Sequence, residues 1–199
     1  GANTKATVVN NAIGVGRFTY LLDYGNEHGI ILSDGIRETT IQNNQIVNNH
    51  SQGIWLQNGA NANVISKNQV WNNLKNGILI QGTATVRNAL SMNSISGNFG
   101  KGIALEDGGN SSQEAPVIEK VTWQGENIWG SVLAPNGSVV EIYADLEDEG
   151  RYMAGMGKVL YNRFHADGCY DPSLELHGIV ITPDGNTSEF GYADITPER

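Results

Sequence analysis

From residue 40 to residue 105 aliphatic and polar side chains alternate for three or four positions, then stop at Asn or Gly. Alternation at period two places one set of side chains on one face of a strand, so each short run predicts a strand and not a helical stripe. The runs recur. Gly-Ile pairs in register begin at 29, 53, 77 and 102, a spacing of 24 or 25 residues. A fixed period of this length marks a solenoid.

Aligning the copies gives four columns of branched aliphatics. They are Val8, Ile41, Ile65 and Leu90; Ile13, Ile46, Val70 and Ile95; Ile30, Ile54, Ile78 and Ile103; and Leu32, Leu56, Ile80 and Leu105. No single repeat can bury its inward face, but stacked repeats make one continuous core. Three strands per repeat, stacked parallel, predict a short right-handed parallel β-helix of about four coils over residues 1–110. Ile31, Trp55, Leu79 and Ala104 alternate with the core columns and are expected on the outer face. Asn11, Asn44, Asn68 and Asn93 fall in register between two strands, with a second set at Asn49, Asn73 and Asn98. Asn tolerates the left-handed backbone of a sharp corner, and its amide can bond to the next coil, so both sets predict ladders.

The first copy is interrupted. Between Ile13 and Gly29 lie nine more residues than in later copies, and insertions in solenoids emerge as loops on one face. Arg17, Phe18, Tyr20 and Tyr24 in this insertion form the candidate ligand-binding set, suited to stacking on a sugar ring. Covering the coil end or contacting another subunit is the competing use.

Beyond Asp107-Gly108-Gly109-Asn110 the period stops. Alternating runs at 117–123, 128–133, 139–143, 152–160, 174–176 and 178–181 are separated by turn signals at 135–137 and 183–186. Six or seven short strands in this length predict a small immunoglobulin-like β-sandwich over residues 111–199. The chain is thus expected to be all-β.

The run Asn93 to Leu105, the Pro116-Val117-Ile118 strand, Val139 to Asp145, and the closing Thr182-Pro183-Asp184-Gly185-Asn186-Thr187-Ser188-Glu189-Phe190 resemble the end of bacterial right-handed β-helix repeat proteins. The resemblance covers nearly the whole chain. It implies a module of large secreted or cell-surface proteins and supplies no catalytic residues.

Composition narrows the function. A net charge of -9 with only 12 Lys and Arg disfavours a nucleic-acid partner, which needs cations for phosphate contacts. No apolar run is long enough to span a membrane. Cys169 is the only cysteine, so intrachain disulfides and cysteine metal sites are excluded, and it is expected to be buried, with an interchain bridge as the alternative. Asp145, Glu147, Asp148 and Glu149 crowd one loop and form the candidate metal set, with calcium the one cofactor that their hard oxygens suggest. A solvated acidic turn is the plainer reading.

On the coils Asp34 and Asp107 share a column but Asn58 and Gly82 lie between them, and Arg37 and Arg87 lack a carboxylate in the adjacent coil, so no acid pair for glycoside hydrolysis is placed. His28 and His50 read as exposed corner residues. The sequence therefore points to a non-catalytic extracellular or cell-surface module, structural or adhesive. Its expected partner is another copy of itself, stacked head to tail into fibres, or the remainder of a longer chain. Carbohydrate binding, or descent from a polysaccharide lyase or epimerase, is the alternative.

Overall fold

The computed structural model describes residues 5–15, 25–145, 149–169, 171 and 173–195. Twelve short strands form four coils: β1 (Thr7–Val9), β2 (Ala12–Ile13) and β3 (Ile30–Leu32); β4 (Thr40–Gln42), β5 (Gln45–Val47) and β6 (Ile54–Leu56); β7 (Val64–Ser66), β8 (Gln69–Trp71) and β9 (Ile78–Gln81); β10 (Ala89–Ser91), β11 (Ser94–Ser96) and β12 (Ile103–Glu106). Corresponding strands pair in parallel, giving three sheets of four strands: β1-β4-β7-β10, β2-β5-β8-β11 and β3-β6-β9-β12.

The register is the one the aliphatic columns require. Val8 pairs with Ile41, Ile41 with Ile65, and Ile65 with Leu90. Ile30, Ile54, Ile78 and Ile103 align in the third sheet, as do Leu32, Leu56, Ile80 and Leu105. From the second coil on, these inward side chains are buried in one core, apart from Leu105, which packs against it half-buried. In the first coil Val8, Ile13 and Ile30 are only partly buried, because no coil lies above them among the described residues. Trp55, Leu79 and Ala104 pair along the alternate face as expected; Ile31 is exposed there, whereas Leu79 and Ala104 are buried.

The corners divide their labour in a way the sequence pattern did not reveal. The left-handed residues are Asn10, Asn43, Lys67 and Met92, one position before each asparagine of the first ladder. The asparagine that follows is free to point inward. Asn44 donates through both its backbone N–H and Nδ2 to Asn68 Oδ1 (2.9 and 3.0 Å), and Asn68 does the same to Asn93 (3.0 and 3.0 Å). Asn49, Asn73 and Asn98 form the second ladder. A third, at the remaining corner, runs from Thr39 through Asn63 and Asn88 to Asn110. Each ladder saturates buried backbone donors where the strands turn. The recurrent glycine has a packing role: a Cβ on Gly53 would lie 2.6 Å from Gly77 O and 2.7 Å from Val70 Cγ1.

The remaining strands are β13 (Ile118–Gln124), β14 (Asn127–Val132), β15 (Val139–Asp145), β16 (Tyr152–Lys158), β17 (Arg163–Gly168), β18 (Glu175–Ile181) and β19 (Gly191–Ile195). They make one closed barrel in the order β13-β14-β17-β16-β15-β18-β19, not the two-sheet sandwich expected from the strand count. Closure comes from β19, which pairs with β18 antiparallel and with β13 parallel. Glycines permit the tight curvature between β16 and β17. A Cβ on Gly157 would sit 2.0 Å from His165 O, and one on Gly168 only 1.6 Å from Ala154 O. Cys169, expected inside, is exposed at the end of β17.

Candidate functional site

β15 explains how barrel and coils become one body. Val140, Ile142 and Ala144 face the barrel core, while Glu141, Tyr143 and Asp145 alternate to the other side; all six are buried. A strand buried on both faces reads as a nearly continuous apolar run, as Val139 to Ala144 does except for Glu141. Tyr143 and Ile179 enter the coil core, with Phe190 packed against it, and the rings of Tyr143 and Phe190 meet edge to face at 5.5 Å. They stand where the aliphatics of a fifth coil would stand.

The edge of the fourth coil is satisfied at every corner. Glu141, fully buried, accepts from Ser91 Oγ (2.5 Å), the backbone N–H of Met92 (2.8 Å) and Tyr143 Oη (2.5 Å). Burial raises the Tyr143 phenol well above its ordinary value, and the Glu141 carboxylate beside it raises it further. Glu149 Oε1 accepts from Asn98 Nδ2 (3.0 Å) and so extends the second ladder. Ile95 and Gly150 exchange both backbone bonds (2.9 and 3.1 Å). The Thr182–Phe190 segment supplies the rest: Asn186 Oδ1 accepts from Arg87 N–H (2.6 Å), Thr187 Oγ1 from Leu90 N–H (2.9 Å), and Glu189 from Leu105 N–H (2.8 Å) and Lys101 Nζ (2.6 Å). Asp184 shapes this segment by accepting from Thr182 Oγ1 and Asn186 Nδ2, and the Thr182 bond leads in holding its carboxyl below the usual range.

Beside this junction runs a cleft of about 880 Å³. Its floor is the outer face of β8 and β11, with Gln69, Trp71, Ser94 and Ser96; Arg151 and Tyr152 form the barrel wall. The Arg151 guanidinium lies 5.2 Å from the centre of the half-exposed Tyr152 ring. Gln69 also lines a second, polar hollow of about 490 Å³ on the first three coils, between Asn10, Asn43 and Lys67. A strip of amides, hydroxyls and an indole thus follows the solenoid from its first coil to the barrel. Such a surface offers stacking and neutral hydrogen bonds.

Of the residues singled out from sequence, Arg17, Phe18, Tyr20 and Tyr24 lie outside the described residues, as do Glu147 and Asp148 of the metal set. Asp145 and Glu149 are buried and committed to protein donors, Asp145 Oδ2 to the N–H of Arg151 (3.0 Å) and Glu149 to Asn98. Among the described residues no group of three His, Cys, Asp or Glu is arranged to hold a metal ion. Asp107 accepts from Gln81 Nε2 (2.9 Å). His50 is exposed as expected, but His28 is half-buried with its ring 5.0 Å from Trp55. The cleft was not legible in sequence, because its two walls come from residues about eighty positions apart.

The architecture defines a class: a parallel β-solenoid whose last coil is closed by a barrel from the same chain. Residues 2–122 match the family model for the right handed beta helix region, and the chain belongs to that family. The match takes in all four coils and ends inside β13. A search of curated proteins found no match. No helix among the described residues is long and apolar enough to cross a membrane.

Proposed function

We propose that this protein is a non-catalytic extracellular or cell-surface module with a structural, adhesive role, in which the barrel terminates a β-helix. The observation that carries this reading is the use made of the carboxylates. Glu141, Glu149 and Glu189 are all spent on the edge of the last coil, where they receive backbone or amide donors. A free solenoid edge invites pairing with other chains, and terminal caps prevent it. Coil-to-coil stacking on the fourth coil is therefore blocked by the barrel, so any head-to-tail assembly at that end would use the outside of the barrel. Incubation with pectic, alginate and glucan polymers tests the reading: no new reducing ends and no unsaturated uronate absorbance are expected. Product release from any of them would overturn it.

A second reading, recognition of a neutral polysaccharide, is favoured by Trp71, Tyr152 and Gln69 lining one cleft. Aromatic faces take the apolar faces of sugar rings, and amides take their hydroxyls. Trp71→Ala and Tyr152→Ala are expected to abolish retention on the cognate glycan in an array. Retention unchanged in both variants would remove this reading.

A further inference from the structure

The outer wall of the barrel carries a further concavity, remote in sequence from the coils and not used by the junction. It is an open hollow of about 570 Å³ lined from β13, β14, β16 and β17. Its aromatic surface is Trp129, paired across the sheet with His165. The two rings lie 5.3 Å apart at 30°, and His165 Nε2 is 2.9 Å from Asn127 Oδ1, which fixes the imidazole beside the indole. Trp129 remains 39% exposed. Around it stand Lys120, Lys158 and Arg163.

Three features set this hollow apart. It gathers three of the chain's 12 Lys and Arg in a molecule of net charge -9. None of the three forms a salt bridge among the described residues, and no carboxylate lines the hollow. Asp167 approaches His165 only at 3.8 Å, in the next outward-facing cross-strand pair of β14 and β17, beyond the indole. Cations left unpaired around a half-exposed indole are complementary to an anion joined to a flat, weakly apolar ring. A hexuronate has this form: its C–H face stacks on Trp129, and its carboxylate meets the fork of Arg163 and the ammonium groups of Lys120 and Lys158. Among the described residues the lining holds one indole with one imidazole packed against it, and not the row of stacking platforms along a groove that single-stranded nucleic acid needs.

We infer that the barrel binds a carboxylated polysaccharide at Trp129, Lys120, Lys158 and Arg163. The inference is independent of the scaffold reading, since the site touches neither the Thr182–Phe190 segment nor the junction cleft. Electrophoresis of the full chain through native gels containing polygalacturonate or neutral dextran tests it. Retardation is expected in polygalacturonate alone and should weaken as sodium chloride is raised. Trp129→Ala and the double variant Lys158→Gln/Arg163→Gln should each raise the dissociation constant at least about tenfold, with an unchanged melting temperature. Trp71→Ala/Tyr152→Ala should leave it unchanged. If Trp129→Ala does not fold, the exposed Lys158/Arg163 pair decides. No retardation, equal retardation in dextran, retention of binding by the double variant, or loss of binding in the Trp71/Tyr152 variant would each overturn the inference. So would flotation with phosphatidylserine vesicles in the absence of polygalacturonate binding, which would make this a membrane-facing surface.

Discussion

Glu149 takes the amide of Asn98 at 3.0 Å, in the place where a fifth coil would have put its own asparagine. The ladder Asn49–Asn73–Asn98 thus ends on a carboxylate from a different fold unit. An asparagine ladder leaves a backbone N–H and a side-chain N–H of its last member unmatched wherever it stops, and a donor shielded from water without a partner costs free energy. Glu149→Ala should destabilise the chain by about 1–3 kcal/mol, whereas Glu149→Gln, which keeps a side-chain oxygen, should cost under about 1 kcal/mol. Urea unfolding of the two variants checks this; equal losses would mean that Glu149 does not end the ladder.

Tyr143 makes the junction sensitive to alkali. Its phenol is pushed above the ordinary value of 10.0 by burial first and by Glu141 second. A group whose folded value is raised gives stability that is complete below its unfolded value and is lost as pH climbs toward the folded one. Stability should therefore hold up to about pH 10 and then fall. Tyr143→Phe removes the ionisable group, so its stability should decline less between pH 10 and 11, as followed by tryptophan fluorescence during denaturation.

Lys67 occupies a left-handed corner, φ 55°, where Asn10 and Asn43 stand in earlier coils. Lysine gains nothing from this conformation, while asparagine tolerates it. Lys67→Asn should stabilise the protein by about 1 kcal/mol, measured as a rise in the urea midpoint at unchanged slope.

The loop around residues 145–149 can be tested for calcium directly. Asp145 and Glu149 already serve Arg151 N–H and Asn98. An ion would have to take both carboxylates away from these donors. A chelator is therefore expected to leave the melting temperature unchanged, and a downward shift of several degrees would show that an ion holds the loop.

Much of the coil domain was readable because a period constrains it twice. Each aliphatic of the four columns is fixed by alternation within its strand and by recurrence one coil later, and Ile54, Ile78 and Ile103 pair as that double constraint requires. The Asn63–Asn88–Asn110 ladder was less visible because Thr39 replaces asparagine in its first position and Asn110 arrives two or three residues early. In the barrel there is no period. β17 and β19 were missed, since Arg163 to Gly168 and Gly191 to Ile195 alternate with small or charged residues.

The repeat alone determined the three-sheet solenoid, its register and its core, because those follow from local alternation and stacking. Tertiary structure decided how the solenoid ends. Nothing in the motif Thr182 to Phe190 announces that Asn186, Thr187 and Glu189 will cap Arg87, Leu90 and Leu105, some ninety residues earlier. Nor does the pattern place Trp129 among three cations, since cross-strand neighbours in a closed barrel are set by closure and not by distance along the chain.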